Sequence, residues 1–179
     1  MRKLSMLLVP GLVSLALAAG PVLTSAYAAG SDEPSPPKSD TSTKKGKKKS
    51  SSVSDPKFLA AYRTAYTTIY DKHDYTDAIG QLKQLKRDDV ADVANLIGYS
   101  YRKLGDYQSS KVYYEIALKD DPNHVRTWQY YGLWQLEQGN REQAQYHLNK
   151  IASLAGTDSS EYRSLAAALD KPTGATLVY

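Results

Sequence analysis

Apolar residues fall into three regimes along the chain. From Leu4 to about Leu23 they run nearly unbroken behind Arg2 and Lys3, interrupted by Pro10, Gly11, Gly20 and Pro21. Residues 29–54 hold almost none. Pro34, Pro36 and Pro37, a run of serines and threonines, and the cluster Lys44, Lys45, Lys47, Lys48 and Lys49 take their place. From Asp55 onward apolar residues recur three and four positions apart, the spacing that gathers them on one helical face. Asp55 suits an N-cap and Pro56 the first helical position. Gly105, Gly139, Gly156 and the turn Asp121-Pro122-Asn123 divide this region into short segments. The breakers predict helices over 56–71, 75–86, 90–103, 107–119, 124–138, 141–153 and 159–170. An alternating pattern appears only at Ala175 to Tyr179, too short and terminal to found a sheet, so the expected fold class is all-α.

The first regime has the three parts of a secretory signal: a basic start, an apolar stretch, and Ala26-Tyr27-Ala28 followed by Ala29. Small side chains at Ala26 and Ala28 fit the shallow pockets of a signal peptidase, which predicts a signal over 1–28 cleaved near Ala28. Localisation is then expected to be exported, periplasmic or secreted. An uncleaved membrane anchor is the competing reading, and the interrupting prolines and glycines weigh against it. Residues 29–54 cannot bury apolar area to offset roughly 1–2 kcal/mol of backbone entropy per residue, so a disordered Pro/Ser/Lys-rich linker is expected. Its cluster Lys44–Lys49 suits weak contact with a membrane surface or acidic polymer, or serves only to keep the linker soluble.

Within the helical region, Gly98 and Gly132 lie 34 residues apart, as do Gly105 and Gly139. Residues 91–124 supply Ala94, Ile97-Gly98, Tyr101, Ser110, Tyr114, Ala117 and Pro122. Residues 125–158 supply Trp128, Tyr131-Gly132, Ala144, Leu148 and Ile151, with Gln135 and Gly156 departing from the pattern. Residues 59–90 supply Tyr62, Ala65, Tyr66, Ile69, Ala78, Leu82 and Leu85 in a unit two residues short. This spacing of small and bulky residues resembles the tetratricopeptide repeat. The resemblance implies a right-handed α-solenoid of about three helix pairs, at about 59–90, 91–124 and 125–158, within a domain over 55–171. Small residues at Gly98, Gly132, Ala78 and Ala144 let helices approach, and Tyr101, Tyr114, Trp128 and Leu148 fill the hollows between them. Each pair leaves one face uncovered, so units stack. Asp158 and Glu161 form a capping-box pattern, and Tyr162, Leu165, Ala166 and Leu169 share a stripe, which predicts a capping helix over 159–170. Pro172 stops it, leaving 172–179 as a flexible tail.

Charge and composition remove several classes of function. The net charge of +4 is concentrated before residue 55, and residues 55–179 hold fifteen basic against sixteen acidic side chains. A folded surface this close to neutral lacks the basic footprint of a nucleic-acid binder, so no nucleic-acid partner is expected. With no cysteine there is neither a disulfide framework nor a thiolate site. His73 and His124 fall at turns, and His147 has no ligand partner at helical spacing, so no metal or cofactor is expected. Asp88-Asp89 and Asp120-Asp121 precede helices at equivalent places, which suits turns and caps better than acid/base work. Phosphate loops and nucleophile elbows are absent, and no enzyme is expected.

What remains is a surface. The resemblance implies that the first helix of each pair lines a concave side, where the residues not needed for packing are Arg63, Thr67 and Tyr70, then Asn95, Tyr99, Arg102 and Lys103, then Gln129, Leu133 and Leu136. This groove suits a protein or peptide segment of mixed character. The expected function is an adaptor or scaffold. The alternative is a tethered protein that binds acidic polymers or lipid head groups through its lysines and uses the repeats for homo-oligomeric self-association.

Overall fold

A computed structural model describes residues 55–172. The expected signal, its cleavage site, the linker with Lys44–Lys49 and the tail beyond Pro172 lie outside the described residues. The described chain forms seven helices: α1 (Pro56–Tyr70), α2 (Tyr75–Gln84), α3 (Ala91–Lys103), α4 (Tyr107–Asp120), α5 (Val125–Glu137), α6 (Arg141–Ala155) and α7 (Ser160–Leu169). No strand occurs among the described residues, and none of these helices is long and apolar enough to cross a membrane.

Short polar side chains cap four of the seven helices. Asp55 accepts from the Lys57 N–H ahead of Pro56, Asp74 from Asp77, and Asp106 from Ser109. Each satisfies a donor that has no partner within its own helix. Val90, at the N-cap of α3, offers no side-chain cap, and the Ala91 N–H is taken by Asp120 Oδ2 at 3.0 Å, from the end of α4. Gly105, Gly139 and Gly156 close α3, α5 and α6 with φ of 79°, 79° and 81°, a region glycine enters without strain. Two expectations need correction. α2 stops at Gln84, because Leu85 and Lys86 tighten into a turn and Lys86 takes φ 52°. The cap of α7 is Ser159, whose hydroxyl accepts from Tyr162, so Asp158 lies outside the helix.

Helices pack in sequential pairs, α1 with α2, α3 with α4 and α5 with α6, and α7 lies against both α5 and α6. A Cβ built on Gly98 would sit 2.9 Å from two ring carbons of Tyr114 and 3.2 Å from the Ser110 carbonyl. The α3–α4 spacing therefore requires a residue without a side chain. At Gly132 the neighbour is α7: a Cβ there would lie 2.5 Å from Leu165 Cδ2. Leu165, Ala168 and Leu169 are buried, and Arg141 of α6 donates to the Leu169 and Lys171 carbonyls at the α7 C-terminus. α7 thus closes the stack as the amphipathic stripe predicts. Of the expected hollow-filling residues, Tyr114 and Leu148 are buried, whereas Trp128 and Tyr101 are half-buried and Tyr101 accepts a hydrogen bond from Lys83 Nζ.

Two glycines in helices should respond oppositely to alanine. Gly80 is exposed in α2 with nothing within 4 Å of an added Cβ, so Gly80→Ala should stabilise by about 0.5–1 kcal/mol. Gly98→Ala should destabilise by about 1–3 kcal/mol, since the buried Tyr114 ring has nowhere to move. Urea midpoints that shift the same way for both would refute the close-approach account.

Candidate functional site: the face of the first helices

Of the ten expected groove residues, the structure exposes Arg63, Thr67 and Lys103, and leaves Tyr70 half-buried. Asn95, Tyr99, Arg102, Gln129, Leu133 and Leu136 are buried, Tyr99 at 4% exposure and Leu133 at 0%. Their expected availability to a partner is therefore corrected: six of the ten are interior. The physical reason is aromatic. The Tyr99 ring lies between Tyr70 of α1 at 5.6 Å and Tyr130 of α5 at 4.9 Å, with the Tyr75 edge at 6.2 Å. The Tyr66 ring packs tilted against Tyr70, with centroids 4.5 Å apart. Above Tyr99 the Tyr70 and Tyr130 hydroxyls meet at 3.2 Å, so side chains fill the space in which a groove was expected.

Polar groups below this cluster tie the second pair to the third. Arg102 Nε donates to Glu137 Oε2 at 3.0 Å, and the guanidinium lies 6.0 Å from the Tyr99 ring. Beneath it the Tyr114 hydroxyl is pushed up to about 12 by burial, with Arg102 and Ser110 pulling in the opposite direction. At the other end of the face, His124 Nε2 meets Asp92 Oδ1 at 3.1 Å and His124 Nδ1 meets Thr127 Oγ1 at 2.6 Å. The Thr127 hydroxyl donates to Asn95 Oδ1 at 3.1 Å. Burial raises the Asp92 carboxyl, but the His124 bond and the nearby Arg126 outweigh it and hold the group below its ordinary value.

An acid, a histidine and a hydroxyl in series have the connectivity of a nucleophile relay. Here Thr127 is fully buried and its proton is directed to Asn95, so no substrate reaches the hydroxyl. The chain of bonds acts as a tie between α3 and α5. The acidic pairs likewise serve turns. Asp121 accepts from Asn123, Asp89 pairs with Arg87, and Asp120 caps Ala91. An acidic cleft of about 470 Å³ lies over them, lined by Asp88, Asp89, Ile116, Lys119 and Asp120.

Sequence reasoning missed Asp92, His124, Thr127, Tyr130 and Glu137 as members of this face. The signal that carries them is a spacing near the repeat length: His124 follows Asp92 by 32 residues, and Glu137 follows Arg102 by 35. Such residues occupy neighbouring places on successive first helices.

His147 is buried against Trp128 and Tyr131, with ring centroids 5.0 and 4.9 Å away, and its Nδ1–H donates to the Trp128 carbonyl. Burial favours the neutral ring and lowers its value from 6.5 to about 4. A depressed histidine contributes stability that is complete above the unfolded value and is lost as pH falls toward the folded one. The window is therefore about pH 6.5 down to about 4, and the loss is on the order of 3 kcal/mol. Urea midpoints of wild type and His147→Gln across this window should converge as pH falls. Parallel curves would show that His147 does not carry the acid sensitivity.

The family model described as Tetratricopeptide repeat matches residues 101–169, from the end of α3 through α7. No curated protein matches the chain.

Proposed function

From the premise that this chain is a tetratricopeptide-repeat protein, a family whose members are typically non-enzymatic protein-interaction modules, we propose that it is an exported adaptor holding a protein or peptide segment at the rim of its concave face. The observation that carries this reading is the repeat itself: three helix pairs closed by a fourth-layer helix, a scaffold whose family binds protein partners. Arg63, Thr67 and Lys103 are the members of the expected stripe that meet solvent, and the two cations suit a segment bearing carboxylates. Tyr70 adds an aromatic edge at the same rim. Export rests on the basic start, the apolar stretch and Ala26-Tyr27-Ala28, and the linker with Lys44–Lys49 would then act as a tether.

A photo-crosslinker placed at Thr67 in the mature protein, compared with one at exposed Gln143 on α6, tests the reading in the native envelope. Capture is expected from Thr67 and not from Gln143, and Arg63→Ala with Lys103→Ala should weaken it while moving stability by less than about 0.5 kcal/mol. Tyr99→Ala is the contrasting control and should cost about 3–5 kcal/mol, because its ring is interior. Intact mass should place the mature N-terminus at Ala29. Capture that survives the rim variants but disappears when Lys44–Lys49 are removed, with steep loss between about 0.15 and about 1 M salt, would assign binding to the tether instead.

A further inference from the structure

Stacked repeats ordinarily join each unit only to its immediate neighbours. Tyr70 departs from that rule. It belongs to the first pair, yet its hydroxyl meets that of Tyr130 in the third pair at 3.2 Å, across 60 residues of sequence. Between them lies Tyr99 of the second pair, packed at 5.6 and 4.9 Å from the two rings and reduced to 4% exposure. α1 makes few backbone contacts with α3, and the first pair attaches to the second mainly through α2. The joint after α2 is Leu85–Val90, where Lys86 is held at φ 52°, a conformation that a side chain disfavours. A unit that shares the core through Tyr62, Ala65 and Ile69, packs on the second pair mainly through α2, follows with a strained turn and reaches the third pair through the Tyr70–Tyr130 hydroxyls has the construction of a latched lid.

We propose that the first helix pair is a lid over the concave face, latched by Tyr70 and Tyr130, and that releasing the latch uncovers Tyr99. The lid stands on this geometry alone. Only its consequence, that a partner gains the interior part of the face when the latch opens, rests on the peptide-binding reading. Sub-global opening of this kind leaves the remaining core intact, because α5, α6 and α7 pack on one another without α1 or α2.

Amide hydrogen exchange of the full mature chain, read by peptide mass, tests the latch together with the rate at which tetranitromethane nitrates Tyr99. Tyr70→Phe and Tyr130→Phe keep both rings and remove one hydroxyl each. Each variant should speed exchange over 56–84 about five-fold, the effect of one net hydrogen bond, and speed Tyr99 nitration alike, with exchange over 141–169 unchanged. Because both variants break the same bond, the double variant should match the singles. Tyr146→Phe, altered at an exposed ring, should do nothing. Three results would overturn the lid: unchanged exchange over 56–84, equal acceleration over 56–84 and 141–169, or faster exchange over 56–84 with Tyr99 still protected. Additive effects of the two hydroxyls would overturn the latch. None of these outcomes depends on a binding partner, so failure here and failure of the adaptor reading are separate results.

Discussion

The distance between α3 and α4 is set where Gly98 faces Tyr114. No methyl group fits at Gly98, and the ring opposite is wholly buried, so the two helices touch through a backbone surface on one side and an aromatic plate on the other. Helices that approach this closely expose a flat apolar flank, and only another pair of similar shape covers it. The third pair repeats the solution with a different occupant: Gly132 receives Leu165, which arrives from α7. The covering of the third pair is thus the same small-against-large contact, with the large residue supplied by the helix that follows it. α7 belongs to the core for this reason, and Arg141 secures its end by donating to the carbonyls that the helix leaves unpaired.

Polar groups inside such a stack are stabilised by partners there, since burial without one costs more than a made bond returns. Asn95, Thr127, His124 and Asp92 bond to one another across α3 and α5, and at the opposite end Arg102 Nε donates to Glu137 Oε2. Apolar contacts tolerate sliding of one pair over the next, whereas two directional links at the two ends of one helix face do not. Buried polar groups that set register are a recognised use of interior charge, and the placement here fits that use.

Much of this architecture is legible in the sequence. The helices lie within a few residues of their expected positions, because asparagine, aspartate and glycine punctuation acts locally and does not depend on tertiary context. The small and large positions were likewise readable from a 34-residue period. The burial of Tyr99 and Leu133 was not. Helical spacing places Tyr99 and Leu133 on the same side of successive helices, but it does not say how sharply the stack curves or what leans across from α1. Tyr70 and Tyr130 are separated by neither one period nor two, so no repeat comparison pairs them. Only the sum of several interhelical angles brings their hydroxyls together, and a sequence pattern does not carry that sum.

The use of tyrosine on this face follows from the same geometry. The chain holds fifteen tyrosines against one phenylalanine, and four of the tyrosines, Tyr66, Tyr70, Tyr99 and Tyr130, form the cluster where the first and third pairs meet. Rings of either kind would fill the space and contribute similar dispersion energy. Phenylalanines there would become a contiguous apolar patch whenever the first pair moved away, and such patches promote association with any available surface. Tyrosine rims accept and donate hydrogen bonds to water as readily as to one another. A cluster of this kind is therefore stable when packed and tolerable when wet, a combination suited to an interior surface that separates along one edge.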